Sequence, residues 1–600
     1  MQLIWQYSGI MSQGCYTMYG WCGKILRIDL ANMRFYAEEP EDSLLHSCIG
    51  GRGLAGHYLF PEVTRNWDDP AMPLLLFTGP LVDTASPTSG RMTIMTRSPL
   101  TGTVGDTSVG GNLGTFLKKA GWDGVIITGK SDFLCGIEID GKNVSITDAS
   151  HLRGMNTGEL SQHIKGKGAI AAIGPAAEKG VLFSSVMIDG RFAAGRNGIG
   201  CVFASKNIKY LRVNGSGRTQ IFNPKELKKA RTDITRLIAA SPALLGELGI
   251  GRYGTPALYD LMHTRRMMPT DNFKKTRFDY APMMNAFTLH KTYQPQRAGC
   301  RGCHINCKKI APDGTTIPEF ESLSHFSALL NNSDLSSVVE ANRICNELGM
   351  DTISAASTLA CYEELEGRTL ASSEILDLLH DIGLGRGVGI ALGQGSARYA
   401  QSRGCPESSI SVKQQELPAY DPRGAYGMAL AYATSTRGGC HLRAYPISHE
   451  ILRKPVATDR FTFSGKARVI KIAEDLNAAV DSLTACKFVF FAASLEEYAH
   501  VFFAVTGVST SAQSLLKAGE RIYYRERIMN AINGFSRNDD DLPSRFFEEE
   551  GSSGHTISIP PLNRKDFLEA RSNYYKIRGL NDRGIPTGEK ARELGLTWKR

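Results

Sequence analysis

The chain has few cysteines for its length, 13 among 600 residues. They are too sparse for a small disulfide-stapled scaffold, and their number is odd. We therefore expect a reduced, cytoplasmic compartment, in which clustered cysteines bind metal rather than one another. A long basic block is also lacking, and a net charge of +9 is small for a chain of this size. This balance argues against nucleic acid as a partner.

Long uninterrupted apolar runs are missing as well. The most apolar stretch, residues 485–505, contains Lys487, Glu496 and Glu497. Since charges are costly inside a bilayer, we predict no membrane insertion. The N-terminus lacks the basic region and apolar core of a signal peptide. Its first 17 residues are expected to be a loose extension ahead of Met18.

Short β-like runs dominate the first third of the chain, separated by Gly, Pro and Asp. They are KILRIDL, PLLLFTG, MTIMT, GVIITG, GIEID, NVSITD and VLFSSVMID. Such spacing is typical of a strand-rich domain. A composition break at residues 214–217 reads as a flexible connector, and helical periodicity follows it. We predict an α+β fold with an N-terminal β-sheet domain over 1–215 and two mainly α-helical domains over 216–420 and 421–600.

Two helices can be outlined in the helical part. Asn223 followed by Pro224 and Glu226 predicts a helix start, with an N-cap side chain and a proline at the first helical position. The stretch 466–480 predicts an amphipathic helix. Its expected apolar face comprises Val469, Ile472, Ala473, Leu476 and Val480.

The most informative motif is a CxxCxxxC cluster formed by Cys300, Cys303 and Cys307. Three thiolates within eight residues can hold one face of a cubane iron–sulfur cluster, whose fourth ligand must then come from elsewhere. Zinc is the rival occupant, although zinc sites usually pair two separated halves. His304 is read as a solvent-facing loop residue rather than a ligand. Among the other cysteines Cys486 stands out, because it directly follows an amphipathic helix.

Glycine-rich loops follow several of the predicted strands. Residues 51–56 match GxGxxG, but no clear strand precedes them, so tight turns are favoured over a nicotinamide site. Three other loops, at 89–91, 108–114 and 191–200, each place glycines beside Arg or Ser. Such loops let backbone N–H groups and guanidinium forks approach phosphate. Together they predict a large anionic cofactor lying on a sheet surface.

Motifs along nearly the whole chain resemble the tungsten-containing aldehyde:ferredoxin oxidoreductase family. The matching segments are GWCGKILRIDL, LLLFTGPL, SVGGNLGTFLKKAGWDGVIITGK, AAGRNGIGCVFASKNIK, the cysteine cluster, ELGMDTIS, RGGCHLRAYP, DSLTACKF and RGLNDRGIPTGEKARELGL. The resemblance implies two N-terminal sheets that carry the cofactor and two helical domains that close over it. It also implies a bis-pyranopterin tungsten (or molybdenum) centre beside one 4Fe–4S cluster.

The resemblance also implies roles for individual residues. Cys486 would complete the cluster held by the three clustered cysteines, and Asp351 and Asp481 would accept hydrogen bonds from pterin N–H groups. Ser354 and Thr484 replace the glycine of the DxxGL-type motifs. The remaining pterin and phosphate contacts, with a bridging Mg²⁺, would involve Arg91, Ser108, Gly110, Gly111, Arg191, Ala194, Gly195, Arg196 and Arg443. The family commonly has Asn at Ser108, which is harmless if the Mg²⁺ ligand is the backbone carbonyl.

Glu321 and His441 match the family's acid–base residues, with Glu319 and His449 as competing alignments. The implied activity is oxidation of a small aldehyde to a carboxylic acid, with electrons passed to ferredoxin or a ferredoxin-like iron–sulfur subunit. Three alternatives stay open: a low-potential tungsten or molybdenum reductase complex acting on an acid or aromatic thioester, a non-catalytic electron-transfer subunit, and a zinc-binding structural protein. A homodimer or a hetero-oligomer is compatible with the sequence.

Overall fold

Two mixed six-stranded sheets form the N-terminal part of the computed structural model, which describes residues 18–164, 166–554 and 556–598. The first sheet contains β1 (Ile25–Asp29), β2 (Arg34–Glu38), β3 (Leu74–Phe77), β4 (Met92–Arg97), β5 (Val104–Val109) and β6 (Gly124–Thr128). The second contains β7 (Cys135–Asp140), β8 (Asn143–Asp148), β9 (Ala169–Ile173), β10 (Val186–Ile188), β11 (Phe192–Ala194) and β12 (Ile208–Asn214). The expected extension over residues 1–17 lies outside the described residues.

The strand orders are β2-β1-β6-β3-β4-β5 and β11-β10-β9-β12-β7-β8. Only β1–β6 and β12–β7 pair in parallel among these neighbours. Alternate side chains of β3 point to opposite faces, as strand geometry requires. Leu74 and Leu76 pack into a core shared with the second sheet, whereas Leu75 and Phe77 pack against helices from the C-terminal part. Strand β3 is therefore buried on both faces.

Helices cover the sheets and build most of the chain after residue 223. The longer helices of the sheet region are Asp42–Cys48, Gly51–Leu59, Leu113–Lys119, Thr157–His163 and Ile199–Ser205. Those of the helical region are Pro224–Ala240, Ala286–Tyr293, Leu335–Leu348, Thr352–Glu366, Ser372–Leu384, Ser396–Ser402, Tyr426–Thr434, Lys466–Leu483, Leu495–Thr506, Ala512–Ile532 and Arg564–Arg578. This arrangement confirms the predicted α+β fold class; the three domain boundaries stay predictions.

Two short hairpins interrupt the helical region. β13 (Gln296–Ala298) pairs antiparallel with β14 (Lys308–Ile310), and β15 (Ser411–Val412) pairs with β16 (Gln415–Glu416). The connection between β13 and β14 carries the three clustered cysteines. Since a hairpin fixes both ends of its connection, the motif is presented as one rigid loop.

The two outlined helices are present, with one error of orientation. Asn223 caps the helix Pro224–Ala240 by accepting a hydrogen bond from Glu226 N at 3.1 Å. The helix Lys466–Leu483 is also present, but its predicted face is wrong, because Ile472 is 47% exposed. Glu474 is instead fully buried, where its carboxylate pairs with Arg578 at 2.6 Å. Periodicity of apolar residues cannot find a face that buries paired charges.

Two glycine segments also differ from expectation. The GxGxxG stretch is not a tight turn, because Gly51 begins the helix Gly51–Leu59. A Cβ at Gly51 would collide with the backbone oxygen of Asp481, so glycine permits that close helix packing. The connector at 214–217 packs against the sheet region, and Gly217 N donates to Lys119 O at 2.9 Å.

Over the described ranges, no single helix has the length and apolar character needed to cross a membrane. The helix Pro224–Ala240 and the segment Pro242–Tyr253 meet that criterion only when taken together, and they are bent by 69°.

Candidate active site

A cavity of about 330 Å³ opens where the first sheet, the cysteine loop and the C-terminal helices meet. It brings together most of the residues expected to act. Those that line it are Arg91, Ser108, Gly110, Arg191, Gly195, Arg196, Cys300, Cys303, Cys307, Glu321, Asp351, His441, Asp481 and Cys486. Residues that are as many as 395 positions apart in the chain thus line the same cavity.

Three expected cofactor contacts are absent from the cavity lining. Gly111 packs against Ile188 and Phe192, and Ala194 is fully buried in the core between the sheets. Arg443 is also fully buried, where it forms an ion pair with Asp106. In this structure these three residues pack outside the cavity lining.

Arg91 lines the cavity together with the four expected cluster cysteines. Burial lowers the pKa of Arg91, but the neighbouring acidic groups, Cys486, Cys300 and Asp481, outweigh it and raise that pKa. Burial raises the pKa of Cys486 to about 11 and that of Cys303 above its ordinary value. Thiols held protonated by burial become good ligands only when a metal supplies the compensating charge.

In the described part of the chain, no three His, Cys, Asp or Glu side chains form a group that could hold a single metal ion. A cubane cluster does not require that closeness, because its own iron and sulfide atoms stand between the thiolates. The four-cysteine ligand set therefore stays a prediction, for which the shared cavity supplies the location.

Glu321 sits at the start of the short helix Phe320–Ser324, which continues into a π-helical turn, His325–Leu329. The His325 ring bridges this helix to a neighbouring segment, with Nδ1 2.8 Å from Glu321 O and Nε2 3.1 Å from Leu417 O. Ala419 N then donates to Glu321 Oε2 at 2.8 Å. Backbone contacts on both sides fix the direction of the carboxyl group.

His441 lies opposite, with Nε2 3.4 Å from Glu321 Oε1. Burial raises the pKa of Glu321 to about 8, and burial together with Arg196 and Arg437 holds the pKa of His441 well below its usual range. Both groups are therefore neutral near pH 7. A proton that moves from the protonated carboxyl to the neutral imidazole forms an adjacent ion pair and leaves the net charge of the pair unchanged.

The competing alignments do not form this arrangement. Glu319 also lines the cavity, but its side chain is 44% exposed and pairs with Lys308 at 3.1 Å. His449 is not among the lining residues, and its Nδ1 lies 3.1 Å from Val456 O. The geometry therefore favours Glu321 and His441 as the acid–base pair.

Arg196 and Asp351 also line the cavity and contact each other. Arg196 adopts a left-handed backbone with φ +66°, and its Nε lies 3.7 Å from Asp351 Oδ2. The same Oδ2 caps the helix Thr352–Glu366 by accepting from Ser354 N at 3.0 Å. Gly195 lies so close that a Cβ there would be 3.2 Å from Asp351 Oδ1. Backbone strain and a missing Cβ both keep this edge open.

Asp481 belongs to a buried charge network at the end of the helix Lys466–Leu483. Its Oδ2 lies 2.8 Å from Lys487 Nζ and 3.4 Å from Arg52 Nη1. Arg52 in turn makes a two-pronged contact with Glu526, at 2.6 and 2.8 Å. Such forked pairs hold direction as well as charge. One carboxylate oxygen of Asp481 is left facing the cavity.

Two family models together cover most of the chain. The aldehyde ferredoxin oxidoreductase N-terminal domain matches residues 25–215, and domains 2 and 3 of the same protein match residues 229–596. The chain belongs to the aldehyde ferredoxin oxidoreductase family. It is accordingly an oxidoreductase, and the family resemblance in its motifs is confirmed.

Relatives in the family are similar over their full lengths. Tungsten-containing aldehyde ferredoxin oxidoreductases of Pyrococcus furiosus and Thermococcus kodakarensis are 36% and 37% identical, with 96% of this chain and 99% of each relative covered. The WOR-like subunit of an aliphatic sulfonate oxidoreductase from Pyrococcus furiosus is 28% identical over 96% of this chain and 97% of its own.

A solved structure shares the fold of this family member. It is the active-site complex BamBC of benzoyl coenzyme A reductase with 1,5-dienoyl-CoA, at a TM-score of 0.84 and 21% identity. The match covers 97% of this chain and 98% of that one. At this identity the similarity concerns the fold alone.

The cavity fits the pterin group that aldehyde ferredoxin oxidoreductase relatives imply. Besides Glu321 Oε1, two buried polar atoms of the lining residues, Arg196 Nη1 and Asp481 Oδ1, have no hydrogen-bond partner in the described part of the protein. One is a donor suited to phosphate and the other an acceptor suited to a ring N–H group. Since unpaired buried polar atoms are costly, both are explained by a bound anionic heterocycle.

Sequence reasoning missed several residues of this family site. Tyr420, Tyr445, Arg437 and Lys487 line the cavity, although none lies in a recognisable spacing pattern. Three of them lie in segments that carry the resemblance: Arg437 and Tyr445 in RGGCHLRAYP, and Lys487 in DSLTACKF. Tyr420 lies in none of those segments.

Proposed function

We propose that the chain is a tungsten–pterin enzyme that oxidises aldehydes to carboxylic acids. The observation that carries the proposal is the facing pair of Glu321 and His441 in the same cavity as the four cysteines and four arginines. The reaction consumes one water: RCHO + H₂O gives RCOOH, two protons and two electrons. The site therefore needs a group that accepts protons and a route for electrons.

The residues that would hold the cofactors divide by charge. Arg91, Arg191 and Arg196 would hold the pterin phosphates, because guanidinium forks match phosphate oxygens. Asp351 and Asp481 would accept from pterin N–H groups. A Mg²⁺ between the phosphates would take the carbonyl of Ser108, Gly110 or a neighbouring residue, although Ser108 O accepts from Arg91 in this structure.

The four cysteines would hold a 4Fe–4S cluster beside this site. When bound, the metal–pterin centre takes up two electrons, and the iron–sulfur cluster passes them on one at a time. Molybdenum would use the same side chains. The electron acceptor would be ferredoxin or a ferredoxin-like subunit.

Glu321 supplies the base in this proposal. Its ionised form removes a proton from water or from the aldehyde hydrate, and the Ala419 N–H bond keeps Oε2 in place while Oε1 faces the cavity. His441 is neutral, so its ring can donate to the substrate oxygen and later carry a proton away. Burial strengthens both contacts because water is excluded from between the groups.

Anaerobic purification with metal analysis, followed by viologen-dye reduction with a panel of aldehydes, tests the proposal. Tungsten or molybdenum with about four irons per chain and dye reduction with at least one aldehyde are expected. Metal-loaded enzyme that reduces the dye with no aldehyde would overturn the aldehyde assignment in favour of another low-potential reaction. Iron without tungsten or molybdenum would identify an electron-transfer subunit.

A further inference from the structure

Tyr445 occupies a backbone conformation that large side chains rarely adopt. Its φ is +52°, in the left-handed region, and its side chain lines the cavity. Such strain persists only where the surrounding structure imposes it, and it concentrates at functional sites. The position of this ring is therefore a feature that the fold maintains at a cost.

The contacts that impose this conformation involve the residues immediately before Tyr445. Tyr445 N donates to His441 O at 2.9 Å, which closes a turn between the two residues. Asn477 Nδ2 donates to Arg443 O at 3.1 Å and to Ala444 O at 3.2 Å. Arg443 is itself held by its buried ion pair with Asp106. The loop thus cannot relax without breaking several buried contacts.

The Tyr445 ring is one part of an aromatic wall, which we define as Phe320, Tyr420 and Tyr445. Ring centroids of Tyr420 and Tyr445 are 5.8 Å apart at 84°, and those of Phe320 and Tyr420 are 5.3 Å apart. Both tyrosine rings also approach the His441 ring, at 5.6 and 6.0 Å. All three wall residues line the cavity.

The two tyrosine hydroxyls hold the wall together. Tyr420 Oη and Tyr445 Oη are 3.0 Å apart, so one hydroxyl donates to the other. Burial raises the pKa of both groups, with Glu321 adding to the effect, which keeps them protonated. Their mutual bond satisfies much of their polarity and leaves the ring surfaces as the wall's contact area.

Resting on the proposed function, we infer that Tyr445 is a specificity-determining residue whose ring, within the aromatic wall, binds the planar ring of an aromatic aldehyde beside Glu321 and His441. Aromatic rings attract one another in offset or edge-to-face contact at centroid distances of about 4.5–7 Å. A short aliphatic aldehyde cannot make these contacts. The site should therefore favour aromatic over short aliphatic aldehydes.

The test compares kcat/KM for benzaldehyde and acetaldehyde in the metal-loaded enzyme and two variants. Tyr445→Phe keeps the ring and Tyr445→Leu removes it, while neither residue is branched at Cβ, so backbone strain is matched. Tyr445→Leu should lower the benzaldehyde-to-acetaldehyde ratio about tenfold, through a higher KM for benzaldehyde. Tyr445→Phe should keep the ratio within about twofold. Phe461→Leu, at an exposed aromatic side chain outside the cavity lining, should leave it unchanged.

A second readout does not depend on turnover. Benzoate should raise the melting temperature of the metal-loaded wild type more than acetate does, and Tyr445→Leu should lose that difference. An active wild type whose Tyr445→Leu variant keeps both the ratio and the benzoate shift would overturn the inference alone. If no aldehyde is oxidised, the proposed function fails, and the benzoate shift still decides whether the wall binds an aromatic ring.

Discussion

Gly110 lies directly against Cys300. A Cβ atom placed on Gly110 would come closer than 3.0 Å to Cys300 Sγ, a separation that real Cβ atoms do not show. The loop after β5 and the cysteine loop therefore touch at a position without a side chain. The expected phosphate-binding loop and the expected cluster are thereby placed side by side.

Gly110→Ala should consequently displace Cys300 and weaken iron binding. We expect lower iron content and weaker visible absorbance than in the wild type, measured on anaerobically purified protein. Gly56→Ala is the matched control, because nothing lies within 4 Å of a Cβ at Gly56. Normal iron content in the Gly110 variant would contradict a role of Cys300 as a cluster ligand in this geometry.

The raised pKa of Glu321 sets the expected pH dependence of activity. The carboxyl is protonated below its pKa of about 8 and can act as a base only above it. We expect kcat/KM to rise about tenfold per pH unit below that value and to level off above it. Steady-state rates across the alkaline range, with enzyme stability checked at each pH, would measure this. A flat profile between pH 6 and 9, roughly, would argue against Glu321 as the base.

Glu321→Gln should abolish turnover while tungsten and iron content stay normal. Its stability supplies the control. The folded protein holds the Glu321 proton to a higher pH than the unfolded chain, so wild-type stability falls as pH rises from about 4.5 towards 8. Glutamine does not ionise, so the Glu321→Gln variant lacks this fall in stability with pH. The variant should therefore melt no lower than the wild type at pH 8, which separates lost catalysis from lost folding.

Thr484 ends the helix Lys466–Leu483 in a left-handed conformation, with φ +57°. A β-branched residue is strained there, and the strain disappears only when Cβ is absent. Thr484→Gly and Thr484→Ala lose the same side-chain contacts beyond Cβ. We expect the glycine variant to be more stable than the alanine variant by about 1 kcal/mol, measured by thermal unfolding.

The control for Thr484 is a helical position at which glycine should be less stable than alanine. Ala499 lies inside the helix Leu495–Thr506, where Ala499→Gly should destabilise the protein by about 1 kcal/mol. If the glycine variant is less stable than the alanine protein at both positions, the left-handed conformation at Thr484 does not reduce the stability of the protein.

Arg443 is expected to stabilise the folded protein and not to contact the cofactor directly. Its guanidinium pairs with Asp106 and lies 3.3 Å from Glu526 Oε2, and all three side chains are buried. Arg443→Met would leave Asp106 without its closest countercharge, at a cost of about 3–5 kcal/mol. Arg443→Lys keeps the charge but loses the forked contact, so its melting temperature should fall between those of Arg443→Met and wild type. A methionine variant with wild-type stability and reduced pterin content would instead indicate a direct cofactor contact.

Strand prediction from the sequence succeeded for several apolar runs, although β9, with the apolar sequence AIAAI, and β12 are not among the predicted strands. β3 and β6 are apolar runs and were found. β5, Val104–Val109, was missed because VGDTSV contains Gly and Asp, which disfavour strands. Asp106 is buried in this strand only because Arg443, 337 positions later, neutralises it. No local property of the sequence carries that information.

The site residues also divide into those that a local pattern predicts and those that only tertiary packing brings together. The three clustered cysteines and the arginine loops are local patterns, and the structure places them in one cavity. Tyr420 and Tyr445 reach the cavity from separate turns of the chain, and their pairing depends on tertiary packing. The contact of the Tyr445 ring with His441 is local, four residues away, whereas that of the Tyr420 ring follows from the fold and not from any spacing that a single sequence displays.

The forked contact between Arg52 and Glu526 joins side chains 474 positions apart, and neither is exposed to solvent. A fragment comprising only the sheet region would keep the guanidinium and lose its carboxylate. Leaving one member of a buried pair uncompensated costs several kcal/mol. The segments matched by the two family models are therefore not interchangeable modules: exchanging the sheet region between distant relatives would succeed only if both halves of this contact travelled together.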